Sequence, residues 1–104
     1  SDDMFIFRGV NIYPGQIAAV LEKFREFSSE YQICLRREEG LDHMKVRLER
    51  LPGATDESAA LAKAVADEIR RQILVRGEVE ILPPGTLPRS FSKTKRVVDD
   101  RDKE

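Results

Sequence analysis

Two runs in the middle of the chain alternate apolar with polar residues, and this alternation constrains the fold more than any other feature. Tyr31, Ile33 and Leu35 interleave with Gln32, Cys34 and Arg36, while Met44, Val46 and Leu48 interleave with Lys45, Arg47 and Glu49. A period of two belongs to a strand with one face on a core and the other in water, so the runs predict two half-buried strands. The polar stretch between them, residues 38–42 with Gly40, reads as a hairpin loop.

On either side the period lengthens. Upstream, Pro14 follows Tyr13 as the opening residue of a helix, and Ile17, Val20, Leu21, Phe24 and Phe27 recur at the spacing of one buried face. That helix is expected to end near Ser28 and Ser29. Downstream, Leu51-Pro52-Gly53 breaks the pattern, and Thr55 with Asp56 and Glu57 predicts a cap and an acidic first turn. Leu61, Val65, Ile69 and Ile73 then lie four apart, with Arg70, Arg71 and Arg76 toward the C-terminal end and Gly77 as the stop. Residues 4–7, bulky and bounded by Arg8-Gly9, and residues 78–81, bounded by Pro83-Pro84-Gly85, read as further strands.

The order strand, helix, strand, strand, helix, strand predicts an α+β fold. A small, largely antiparallel sheet carries two main helices on one face and is followed by a loop-rich C-terminal segment. Two topologies satisfy this order: a ferredoxin-like sheet, or a three-stranded sheet with a separate N-terminal hairpin built from residues 5–12. Periodicity does not choose between them.

With 104 residues, 40% of them hydrophobic, the chain suits one domain with a modest core. A formal net charge of -1 argues against a general nucleic-acid binder, which needs a broad positive field. One cysteine, Cys34, and one histidine, His43, exclude an internal disulfide framework and a Cys/His metal cluster. No stretch approaches the roughly 20 apolar residues of a membrane helix, and a soluble, cytoplasmic protein is expected. The charges at 36–39 and 47–50 read as solvated strand edge and turn.

The two ends of the chain hold the remaining information. Ser1-Asp2-Asp3 leads into the first strand without an initiator methionine, as expected of a piece of a longer polypeptide. Near the other end, Pro83, Pro84, Gly85 and Pro88 approach a basic cluster of Arg89, Lys93, Lys95 and Arg96 that meets no acid before Asp99. Such a cluster suits a phosphate or carboxylate ligand, and equally suits a solvated tail.

The opening run Asp2-Asp3-Met4-Phe5-Ile6-Phe7-Arg8-Gly9-Val10-Asn11-Ile12-Tyr13-Pro14 resembles the start of the C-terminal domain of acyl- and aryl-CoA ligases, the phenylacetate-CoA ligase group above all. Pro84-Gly85-Thr86-Leu87-Pro88-Arg89-Ser90, then Lys93, Lys95-Arg96-Val97-Val98-Asp99 and Arg101, resembles the catalytic-lysine segment of the same group. The resemblance implies one swinging domain over residues 1–104, with a hinge remnant at 1–3 and the lysine segment at 83–104. It implies a two-step reaction in which ATP and an aryl acid such as phenylacetate give an acyl-adenylate, which coenzyme A converts to a thioester.

On this resemblance Lys93 is the catalytic residue of the first step, Arg8 and Gly9 lie beside the CoA arm in the second, and Asp2 is the hinge. ATP and Mg2+ are expected mainly on an N-terminal adenylation domain of the same polypeptide, and the piece alone is expected to show no turnover. Whether the parent is a homodimer stays open. The chain departs from the group's pattern at Ser92, where glycine usually precedes the lysine, and at Phe91, where a small acidic residue is common. Two other readings remain: a free-standing ferredoxin-like regulatory module that binds a small ligand, and a single-strand nucleic-acid binder, which lacks a paired stacking platform.

Overall fold

A computed structural model describes residues 4–89 and 96–103. A short hairpin, β1 (Phe5–Phe7) and β2 (Val10–Ile12), is followed by helix α1 (Pro14–Leu21). Two long strands come next, β3 (Phe27–Glu38) and β4 (Leu41–Arg50), then helix α2 (Ala59–Ile73) and strand β5 (Glu78–Leu82). Strand β6 (Val97–Asp99) and a single 3-10 turn (Arg101–Lys103) close the chain. The expected α+β class holds and the N-terminal hairpin is separate, β1 and β2 forming a sheet of their own. The larger sheet, however, has four strands instead of three, in the order β5-β4-β3-β6, because β6 adds alongside β3.

The centre of the large sheet is the antiparallel pair that alternation predicted, with Ile33 opposite Val46 and Leu35 opposite Met44. The outer strands run parallel to their neighbours, β5 along β4 and β6 along β3. Both reach their places by long connections, as parallel pairing requires. Tyr31, Ile33, Leu35, Met44, Val46 and Leu48 are all buried on the face covered by the helices. Ile17 and Val20 of α1 and Val65 and Ile69 of α2 meet them there, joined by Phe7 and Ile12 of the hairpin.

Three local expectations are corrected. Helix α1 ends at Leu21, not near Ser29, and the chain turns through hydrogen bonds from Lys23 N to Val20 O (3.0 Å) and Phe24 N to Leu21 O (3.0 Å). Phe24 and Phe27 still reach the core side, one from the turn and one from the start of β3, with their rings edge to face at 6.1 Å. Helical spacing of apolar residues is thus satisfied without a helix. Helix α2 is capped by Ser58, whose Oγ accepts from Leu61 N at 3.1 Å, so Asp56 and Glu57 precede the helix instead of forming its first turn. Asp56 accepts from Ser58 N at 2.8 Å and sets the cap residue in place.

The same helix stops at Leu74, which adopts a left-handed conformation at φ 66° and donates its N–H to Arg70 O at 2.8 Å. Gly77 does other work. A Cβ there would come within 3.2 Å of Met44 Cε, so the glycine lets the chain enter β5 close against β4. Arg70 and Arg71 occupy the last turn of α2 as expected, where the helix dipole favours positive charge.

Candidate functional site

The β1–β2 hairpin turns in two residues, Arg8 at φ 49° and Gly9 at φ 81°. Paired positive φ values match the right-handed twist of the flanking strands, and the second position favours glycine. Space around Gly9 is open: a Cβ there would meet nothing within 4 Å. Phe7 is fully buried beneath the turn, and Arg8 lies over its ring at 5.3 Å. Arg8 Nε and Nη2 both donate to the Asp42 carbonyl, at 3.0 and 2.7 Å, which ties the turn to the start of β4.

The C-terminal segment reaches the same place. Arg101 donates through Nη1 to the Ile6 carbonyl and to Asp42 Oδ2 (3.0 Å), and through Nε and Nη2 to the Asp99 carboxylate (2.9 and 2.8 Å). Arg37 Nε donates to Asp42 Oδ1 at 2.9 Å. Arg8, Gly9, Arg37, Asp99 and Arg101 line an open recess of about 600 Å³. Sequence reading linked Arg8 with Gly9 but did not place Arg101 or Asp42 beside them, because those contacts join segments far apart in the chain.

Burial pushes the Asp42 carboxyl up, but hydrogen bonds from Arg37 and Arg101 outweigh it and hold the group below its ordinary 3.8. Asp99 is likewise lowered, chiefly by its hydrogen bond from Arg101. A depressed carboxyl adds stability above its unfolded value and loses it as pH falls through the lower native value. The urea midpoint of this chain is therefore expected to stay level down to about pH 5 and to fall below that. Asp42→Asn should flatten part of the fall, and an identical acid profile in that variant would remove Asp42 from the explanation.

A second cluster lies at the other end of β4. Glu49 follows the alternation and points away from the core, yet it is only 1% exposed. Its Oε1 accepts from Leu87 N at 3.0 Å and its Oε2 from Gly85 N at 2.7 Å, and Arg89 Nη2 pairs with Oε2. Burial raises the carboxyl, and these three donors more than compensate, holding it below its ordinary 4.5. Glu49 was expected among solvated charges. It is buried because the segment after β5 folds over it, with Leu82 and Leu87 also buried there.

Arg96 forms the matching anchor downstream. Its guanidinium stacks 4.5 Å from the centre of the Tyr31 ring and donates to Glu30 Oε1 (3.1 Å) and the Tyr31 carbonyl (3.2 Å). Its own carbonyl accepts from Ile33 N at 2.7 Å, starting β6. Two cations of the expected ligand-binding cluster, Arg89 and Arg96, are thus engaged within the fold. Lys93, Lys95, Ser92 and Asp2 lie outside the described residues.

Among the described residues no group of three His, Cys, Asp or Glu could hold a metal ion, and no helix is long and apolar enough to cross a membrane. The model of the family described as AMP-binding enzyme C-terminal domain matches residues 9–101. The phenylacetate-coenzyme A ligase of Thermus thermophilus is 36% identical over 97% of this chain, which spans 26% of that protein's length. A solved domain of phenylacetate-coenzyme A ligase from Bacteroides vulgatus superposes with a TM-score of 0.85 at 39% identity, covering 96% of this chain and 94% of that one. A 2-hydroxyisobutyryl-CoA ligase, solved with its acyl-adenylate and CoA in the thioesterification state, gives a TM-score of 0.85 at 32% identity, over 97% of this chain and 22% of its own. In the postadenylation state of that ligase the score is 0.79. By sequence and by fold, the chain belongs to the C-terminal domains of AMP-binding enzymes, among the relatives of phenylacetate-coenzyme A ligase.

Proposed function

We propose that this chain is the C-terminal domain of an ATP-dependent, AMP-forming acid-CoA ligase acting on an aryl acid of the phenylacetate type. In the first step a carboxylate oxygen attacks the α-phosphorus of ATP, pyrophosphate leaves, and an acyl-adenylate forms. In the second the CoA thiol loses its proton, its sulfur attacks the acyl carbon, and AMP leaves. Lys93 serves the first step, as a compact charge against the carboxylate and α-phosphate oxygens. The Arg8-Gly9 turn serves the second, offering an open backbone wall to the pantetheine arm. Asp2 is the hinge of the movement between them. ATP, with its Mg2+, is held by a large N-terminal domain.

The observation that carries this reading is the separation, along one sheet, of the Arg8-Gly9 turn from the anchors that flank the lysine segment. The Arg8-Gly9 turn is tied to Asp42 at the start of β4, whereas the anchors on either side of the lysine segment involve Glu49 near its end and Tyr31, which lies opposite Leu48. The seven residue steps of strand from 42 to 49 span about 23 Å at ~3.3 Å per step. In this reading the two ends are offered to one active site in turn, and the domain rotates between steps. The 2-hydroxyisobutyryl-CoA ligase, known in both postadenylation and thioesterification states, supports such alternation.

The full-length protein is expected to exchange pyrophosphate into ATP in the presence of phenylacetate or a related aryl acid, and to release AMP when CoA is added. The isolated chain is expected to do neither. Absence of acid-dependent exchange in the full-length protein, across aryl and short branched acids, would overturn the reading and leave a small-ligand regulatory module in its place.

A further inference from the structure

We propose that Glu49 is a positioning residue for adenylation, holding residues 85–89 so that the lysine segment leaves the sheet from a fixed point. The inference rests on the assignment of Lys93 to that half-reaction. Its starting point is that a buried carboxylate is a costly way to fill space. An apolar side chain at 49 would pack against Leu82 and Leu87 and spare the desolvation of an ion, a trade that is often neutral or stabilising. An apolar contact, however, is non-directional and accepts many loop conformations.

The carboxylate accepts only along set directions. Its two oxygens take the N–H groups of Gly85 and Leu87, two residues apart, and Arg89 closes the same carboxylate from the half-exposed side. The loop is shaped to deliver those amides. Gly85 stands at φ 80°, and Thr86 Oγ1 donates to the Pro83 carbonyl at 2.7 Å, folding the chain back over β4. Three donors on one acid specify both the position and the orientation of this stretch relative to the sheet.

Arg96 fixes the chain again where β6 begins, through Tyr31, Glu30 and Ile33. Holding a reacting group near its working geometry is worth large rate factors, and a misplacement of about 1 Å can cost about 100-fold. Glu49 is proposed as a positioning residue, not a catalytic one. It acts through the backbone it binds.

The test uses the full-length ligase with half-reactions measured separately. Glu49→Gln preserves shape but turns a donor toward amides that need an acceptor. It is expected to slow acid-dependent ATP–pyrophosphate exchange by about 10- to 100-fold. Thioester formation from supplied acyl-adenylate should stay within about twofold of the unaltered ligase, which a general loss of folding would not allow. In a Lys93→Ala background the Glu49→Gln change should add little, because residues acting as one unit are not additive.

Normal exchange in Glu49→Gln while Lys93→Ala abolishes it would overturn the positioning role alone. Normal exchange in Lys93→Ala would instead overturn the assignment on which it rests. If Glu49→Gln unfolds the domain and both half-reactions fall together, Arg89→Gln decides: exchange reduced with thioester formation intact supports the proposal, and unchanged exchange sinks it.

Discussion

On the proposed function, Lys93→Ala in the full-length protein is expected to reduce adenylation by roughly 10²- to 10³-fold, about 3–4 kcal/mol of transition-state stabilisation, and to leave thioester formation from supplied acyl-adenylate near normal. The first step gathers negative charge where a carboxylate meets a triphosphate, and a lysine ammonium is a small, fully formed charge that can sit among those oxygens. On the proposed function the second step builds no comparable charge at that position, and the Arg8-Gly9 end serves it instead. Equal loss in both half-reactions would refute the division of labour. Lys93→Arg is expected to recover only part of the rate, since a planar guanidinium does not replace a point charge.

The largest effect on stability is expected from Phe7→Ala. Phe7 is fully buried at the end of a three-residue strand, in one cluster with Ile12, Ile17 and Val20. Deleting a buried phenyl ring removes its transfer free energy and leaves a cavity, together about 3–5 kcal/mol. A domain of this size has only about 5–15 kcal/mol in total, so the urea midpoint should drop by roughly a fifth or more. Ile6, its neighbour, is 54% exposed, and Ile6→Ala should change stability by less than about 0.5 kcal/mol. Similar losses for the two variants would mean that the hairpin is not docked on the core as described. On the proposed function, Phe7→Ala should also loosen the Arg8-Gly9 turn and weaken the CoA step beyond what the change in folding explains.

Much of the architecture was legible because its signals are local. Alternation in β3 and β4 reports a pleated backbone whose side chains must point to opposite faces, and the stripe of Leu61, Val65, Ile69 and Ile73 reports a helix of 3.6 residues per turn. Helix ends were less legible. Phe24 and Phe27 keep helical spacing while sitting in a turn and a strand, and Ser58, not Thr55, found the geometry to cap α2. Short-range rules admit several cap residues within a few positions, and packing chooses among them.

The candidate site was legible in its parts and not in its assembly. Arg8 and Gly9 stood out as a turn, and the basic segment stood out by composition, but Arg89 and Arg96 turned out to be engaged with Glu49, Glu30 and Tyr31. A three-residue strand such as β6 is too short to show a period, and its partner β3 lies far away in sequence. Glu49 obeyed the alternation that put it off the core face. What the rule could not contain was the later loop that covers it.

Sequence by itself determined the class of fold, the sheet's central hairpin, the amphipathic face of α2 and the resemblance of both chain ends to CoA ligases. Tertiary structure alone decided that the first hairpin stands apart, that β6 joins the sheet, and that Asp42 ties down the Arg8-Gly9 turn while Glu49 holds residues 85–89. The reason is physical: periodicity follows from backbone geometry within a few residues, whereas burial of a charge depends on which distant segment returns to cover it.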